Sequence, residues 1–484
     1  MAKYLKKYKT REDFENDKKI LIHDLPELEQ IIGLIDDIED VEAIKDDDRL
    51  IHAIYEFPED IPEGSNPFCE SSNIIKRFII DGIEADFETA NNMSWPKGIH
   101  KVAFYVDDKC GDDTLNFYRN EFLSSIIFGQ NCALQKLPLF SGSSSLKSVN
   151  IRSTRFNSIG KDAFEGCSSL SSINIPESVT SIESWAFNGC SSLTSITIPE
   201  NSKLTSIGYM AFSACKSLTS ITLPKSLTSI GNYAFERCSS LTSIILPENI
   251  TSIGISAFQY CNNLTSANIP KGVTRIGDHT FYSCKSLTSI TIPEGVTSIG
   301  NYAFRDCYSL TPIILPKSLT SIGMYSFEDC SSLTSITIPE NVTSIGKRAF
   351  EGCSGELFVN CNIPSASISS DGAFYSSKFT KVTIGEGVTS IGNYAFYYCT
   401  SLTSITIPES VISIGELAFY ACSKLTSITC FAITAPTIYD LRTFRDIATG
   451  GVLKYPQGSD YSSWMNTGAY YLGYYNWTSQ EIEV

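Results

Sequence analysis

The chain has 484 residues, 42% hydrophobic and 19% charged, and its 53 acidic against 37 basic side chains give a net charge of −16. The excess is local: residues 1–130 carry 29 acidic and 15 basic side chains, and the remainder carries 24 and 22. Neither part clusters Lys and Arg as phosphate binding requires, which argues against a nucleic-acid partner, and no apolar run approaches the roughly 20 residues that span a bilayer.

The opening, Met1 to Lys9, is lysine-rich but is followed by no apolar stretch and no lipobox cysteine, so an export signal is not expected in it. Thr10 is placed to cap a short helix running to about Ile22. The acidic runs at residues 36–40 and 46–48 lack the order of a calcium loop and read as a solvated face. Residues 51–57, 74–80 and 99–106 alternate apolar and polar as strands do, and Asp81-Gly82 and Pro96-Lys97-Gly98 supply turns between them. The expectation is an acidic, mostly β module over residues 1–130, folded as a compact sandwich. It would either cap the open end of the array of repeats that begins near residue 131 or dock to a larger assembly.

From residue 131 to about 430 one pattern recurs, close to LTSITIP-E-x-VTSIG-x-x-AF-x-x-C-x-x. Its phenylalanines run from Phe164 to Phe419, twelve in all, at intervals of 22 to 25 residues. A fixed period in the low twenties marks a solenoid, whose unit cannot bury its apolar face alone and must stack on its neighbours. Within one turn, Leu193, Ile196 and Ile198 point inward and Ser195 and Thr197 outward, a half-buried strand of a parallel sheet that Pro199 ends. Ile207 returns to the core, and Gly208 is expected to adopt a backbone angle closed to other residues. Ala211 to Cys215 leaves room for one or two helical turns at most, with Ala211 and Phe212 plugging the core. Asn201 to Lys203 form a loop bulge, and residues 353–377 are a degenerate turn in which Ser377 replaces the usual cysteine.

Of sixteen cysteines, eleven, the first Cys167 and the last Cys422, sit three residues after the marker phenylalanine. They form one column whose Cβ atoms repeat at the inter-turn spacing of about 4.8 Å, too far for a relaxed disulfide at about 3.8 Å. Buried free thiols follow, and thiolate metal chemistry does not, since ligands must converge on a point.

The repeat, LxxIxIPxxVTxIGxxAFxxCxx, resembles that of the BspA-like leucine-rich repeat proteins over about residues 140–430. The resemblance implies a β-rich α/β solenoid and a secreted or cell-surface adhesion protein that attaches to host protein, glycan or other cells. The opening YLKKYKTREDFEND is also similar to the start of proteins from gut Bacteroidetes and their phages. A virion or cytoplasmic location therefore stands beside the cell surface, and a structural or decoration component of a virion or surface assembly stands as the alternative function.

After Ile428 the period fails, and residues 431–484 turn aromatic, with Tyr461, Trp464, Tyr475 and Trp477 among them. These read as the cap that closes the last turn. The four histidines, His23, His52, His100 and His279, fall in no metal-binding pattern, and no nucleophile elbow, phosphate loop or dinucleotide turn is present, so neither an enzyme nor a cofactor is expected. Variation between copies concentrates two residues before the marker phenylalanine. Trp185, Tyr233, Tyr302, Tyr325 and Tyr394 stand there, with Tyr260, Tyr282, Tyr397 and Tyr398 close by. Tyrosine offers large contact area at low entropy cost, which makes this edge the candidate binding surface. The alternative is that the rings only cover the phenylalanine column.

Overall fold

The computed structural model describes residues 49–69, 74–106 and 115–483. The helix expected from Thr10 and both acidic runs lie outside the described residues. Strands β1 (Ile51–Phe57), β2 (Ile75–Ile80), β3 (Ile83–Ala85), β4 (Gly98–Val106) and β5 (Leu123–Phe128) surround a short helix α1 (Phe87–Asn92). Asp86 caps α1, its Oδ1 accepting from the Thr89 N–H at 2.9 Å. The expected sandwich is not what the described residues form. They make one sheet in the order β3-β2-β4-β1-β5, and β5, antiparallel to β1, pairs in parallel with the next strand, β6 (Ser148–Ile151). The physical reason is that β5 ends on a buried face that continues the solenoid core. Its free edge pairs with the first turn, so the sheet runs on into the solenoid's and its apolar face packs into the same continuous core.

Beyond β6 most turns add two short strands. The longer ladder runs along Ser172–Asn174, Ser195–Thr197 and their equivalents. A second parallel ladder, not expected, is built from the SI pairs, as where Ser206–Ile207 lies between Ser181–Ile182 and Ser229–Ile230. Threonines bind turn to turn as well. The Thr265 hydroxyl donates to the Thr242 carbonyl at 2.9 Å, and that of Thr288 to Thr265 at 3.0 Å. The hydroxyl row beside the outward serines is thus already engaged with the backbone.

The AF element forms no helix. The N–H groups of Met210, Phe212 and Ala214 donate to Asn232, Ala234 and Glu236 of the next turn at 3.0, 2.8 and 2.7 Å. Those of Ser213 and Cys215 close turns on Met210 and Phe212. The backbone is therefore satisfied alternately across and within turns, which a helix cannot do. This geometry places Met210 and Ala214 in the left-handed region, at φ 51° and 58°. Gly189 occupies the position equivalent to Ala214 one turn earlier, at φ 74°. Relief of a strain of roughly 1–2 kcal/mol against a glycine entropy cost of roughly 0.5–1 kcal/mol predicts that Ala214→Gly stabilises by about 0.5–1 kcal/mol. Urea unfolding should show this, with Ala211→Gly, at a buried position outside the left-handed set, destabilising instead.

Gly208 does not fill the role expected of it, since its φ is not positive. It is required by approach: a Cβ there would lie 2.7 Å from the Glu183 carbonyl carbon and 2.8 Å from the Ser184 nitrogen. The marker rings stack in one file. It begins before the sequence pattern does, at Phe117 and Phe140 (centroids 5.1 Å, interplanar 1°), and ends at Phe419 and Phe444 (5.8 Å). The cysteine column is buried and free of disulfides. Each thiol in it donates to the carbonyl of the preceding turn's phenylalanine, as Cys190 does to Phe164 at 3.1 Å. Burial pushes the Cys238 thiol up to about 12.

In the degenerate turn the strand Ser354–Val359 persists, the SI pair is reduced to a single parallel bridge between Ile363 and Ile391, and a 3-10 turn at Ser369–Asp371 follows. Asn362 substitutes for the missing ladder, its Oδ1 accepting from Thr389 N–H at 2.8 Å. The chain closes on Val452–Pro456 and Thr478–Ile482, which extend the longer ladder. Phe444, last in the file, is covered by Trp464 at 5.5 Å, whose indole N–H donates to Pro436.

Candidate functional site

The positions two before the marker phenylalanine share one backbone state. Trp185, Tyr233, Tyr302, Tyr325 and Tyr394 have φ of 65°, 58°, 57°, 53° and 57°. Bulky residues are uncommon there, and the fixed inter-turn bonds of the AF element hold them in place. The left-handed bend turns each side chain out of the core, leaving all five half-buried.

The structure sorts the nine candidates into three groups along the edge. Trp185 lies 5.6 Å from Tyr209, tilted by 56°, and Tyr209 lies 5.7 Å from Tyr233 at 74°. Ser256, buried in the same column, ends this group. In the second group Tyr260 meets Tyr282 at 5.3 Å, and His279, Tyr302 and Tyr325 form a flat stack with centroids 4.8 and 5.0 Å apart. In the third, Tyr394 meets Tyr397 at 5.8 Å, Tyr398 lies 5.2 Å from Tyr397, and Tyr397 stacks on Tyr420 at 4.7 Å.

Arginines cover the second and third groups. Arg305 lies over Tyr282, Tyr302 and Tyr325 at 5.9, 5.5 and 5.8 Å. Arg237 lies over Tyr260, Arg348 over Tyr375, and Arg445 over Tyr420 and Tyr470. Carboxylates hold these guanidinium groups. Arg305 Nε is 2.9 Å from Glu328 Oε2, in contact without an aligned hydrogen bond. Burial pushes the Glu328 carboxyl up to about 7, with Arg305 opposing the shift and Glu351, Asp329 and Asp306 adding to it. The native state therefore holds this proton more tightly than the unfolded chain does. The resulting stabilisation is complete below the ordinary value of 4.5 and is lost as pH rises through about 7. Glu328→Gln should remove that part of the decline, as urea midpoints measured between pH 4.5 and 8 will show.

The pattern described as the BspA type leucine rich repeat region matches in six copies, over residues 114–239, 157–288, 251–371 and 366–445. The chain belongs to the BspA-type leucine-rich repeat family. Its match begins at residue 114, ahead of the first regular repeat, in agreement with the ring file starting at Phe117. Among solved structures, this BspA-type chain is similar to a leucine-rich repeat protein from Bacteroides ovatus, 28% identical over 67% of this chain and 88% of that one, with a TM-score of 0.48. A leucine rich cell surface protein from Faecalibacterium prausnitzii is 31% identical over 57% and 83%, with a TM-score of 0.36. A T. pallidum leucine rich repeat protein is 32% identical over 39% and 83%, with a TM-score of 0.31. No curated protein matches the chain.

Among the described residues, no group of three His, Cys, Asp or Glu side chains is arranged to hold a metal ion, and no helix is long and apolar enough to cross a membrane. His100 is engaged structurally, with Nδ1 2.8 Å from Asp81 and Nε2 2.9 Å from the Pro96 carbonyl. Tyr209, Tyr375 and the four arginines were not among the candidate residues, although Arg348 stands in the same variable column. Arg305 and Arg445 directly follow a core phenylalanine, and Arg348 stands two before one, so the copy-to-copy comparison that found the tyrosines contained that signal.

Proposed function

We propose that this BspA-type repeat protein is a non-catalytic binding protein that engages a host protein, a glycan or another cell through the aromatic edge of its array. The observation carrying this reading is the row of half-buried rings and arginines held outside the phenylalanine file by a left-handed backbone position. Tyr, Trp and Arg are the side chains most enriched among residues that dominate binding energy. The outward strand positions of the array are mostly Ser and Thr, and part of the Thr hydroxyl row is spent on inter-turn hydrogen bonds. A secreted or surface location accords with such a role. The test is binding of the full-length chain to arrayed extracellular-matrix proteins and glycans. Saturable binding to at least one is expected, and folded protein that binds nothing on either array would overturn the reading.

A further inference from the structure

The strand Thr478–Ile482 is the last of the longer ladder, and among the described residues it pairs on one side only, with Val452–Pro456. The Thr478 N–H donates to the Gly451 carbonyl at 2.9 Å, and the Ile482 carbonyl accepts from the Gln457 N–H at 3.0 Å. Backbone groups of successive strand residues point to opposite sides, so Thr478, Gln480 and Ile482 all bond toward Val452–Pro456. Ser479 and Glu481 therefore direct their N–H and C=O groups to the open edge, where no described strand meets them.

The side chains of this strand also break with the array. Ser479 stands in register with Leu453 and Ile428, both fully buried, and Glu481 stands in register with Tyr455. Ser479 and Glu481 are themselves exposed. Where a repeat turns apolar side chains into the core, this strand offers a hydroxyl and a carboxylate. A further apolar turn stacked here would bury that charge unpaired. The edge instead suits a strand that brings a hydrogen-bond donor to the carboxylate.

We infer that this edge takes the same strand of a second copy of the chain, antiparallel and centred on Gln480, in a two-fold dimer joined at the capped ends of the arrays. The two-fold registers in which outward backbone groups face one another are centred on Ser479, Gln480 or Glu481. Centring on Ser479 sets Glu481 against Trp477, whose backbone N–H is already spent on the Leu472 carbonyl. Centring on Glu481 sets two carboxylates directly opposite, which is destabilising. Centring on Gln480 sets each Ser479 against the partner's Glu481. Both residues of such a pair face outward and exchange N–H···O bonds in each direction, and the Ser479 hydroxyl shares a sheet face with the carboxylate that accepts from it. The charge that would guard an open edge thus meets a donor in this one register. The inference goes beyond the binding reading above and does not depend on it.

Sedimentation equilibrium of the full-length chain at about 5–300 µM is the first test, a range suited to an interface at the small end. The weight-average mass should rise with concentration from 53.3 kDa toward twice that value. Ser479→Pro removes an edge donor and spares the ladder to Val452–Pro456, since proline is accepted where the N–H faces an open edge. It should weaken association at least about tenfold and leave the urea midpoint unchanged. The register is read by cysteine pairing under mild oxidation. Gln480→Cys places two thiols at a Cα separation of about 4.5 Å, within disulfide range. It should cross-link at least about tenfold faster than Glu481→Cys, and adding Ser479→Pro should remove that advantage. A mass that stays at 53.3 kDa throughout, association undiminished by Ser479→Pro, or equal cross-linking at the two positions would overturn the inference. Should Ser479→Pro fail to fold, the comparison of the two cysteine variants decides alone.

Discussion

Phe258→Ala is expected to destabilise the array by about 3–5 kcal/mol, the usual range for emptying a large buried aromatic site. The Phe258 ring is fully buried, between Phe235 and Phe281 with centroids 5.5 Å away on both sides. In a solenoid the stability is a sum over turns and their interfaces, and one missing ring weakens two interfaces at once. Urea unfolding should therefore move to lower concentration and also broaden or split, as the turns on either side uncouple. Phe258→Leu, which keeps most of the volume, should cost much less. A loss below about 1 kcal/mol for the alanine variant would mean that the file of rings is not what joins turn to turn.

Gly254→Ala should be nearly as damaging, by about 3 kcal/mol or more, although it adds a single methyl group. That Cβ would lie 2.3 Å from the Asn232 nitrogen, 2.4 Å from the Gly231 carbonyl carbon and 2.6 Å from the Asn232 Cα. All three are backbone atoms. They cannot retreat without lengthening the bond from Gly254 N–H to the Ile230 carbonyl, now 2.9 Å. Gly160 is the control, since it holds the same place in the first regular turn and a Cβ there meets nothing within 4 Å. Gly160→Ala should change stability by no more than about 0.5 kcal/mol. Equal effects at both glycines, read from urea midpoints, would rule out close approach as the reason for the glycine column.

Much of this arrangement was legible in the sequence, and the exceptions share a cause. The period, the inward Leu and Ile of each strand and the buried thiols follow from side-chain pattern, which a repeat displays many times over. The second ladder was not legible, because two-residue strands such as Ser206–Ile207 are too short to show an alternation. The left-handed column was hidden for a different reason. Its members are Asp, Trp, Met, Tyr, Ser, His, Arg and Leu, not glycine, and they are held there by inter-turn bonds that only the stacked structure reveals. The glycine of the SIG element drew the opposite expectation, since glycine signals positive φ and close approach equally well. At the edge, the identity of the aromatic positions was readable. Which rings lie flat and which tilt depends on the neighbouring turn's side chains, and so on the fold.

The most direct test of the central claim, that the edge rings bind and do not merely cover the core, is a paired measurement on Tyr233/Tyr302/Tyr394→Ala. Its urea midpoint and its binding to whichever arrayed ligand the parent captures are measured together. The account predicts that binding is lost while the midpoint falls by less than that of Phe258→Ala. Undiminished binding, with a loss of stability as large as that of Phe258→Ala, would contradict it and make the rings part of the packing.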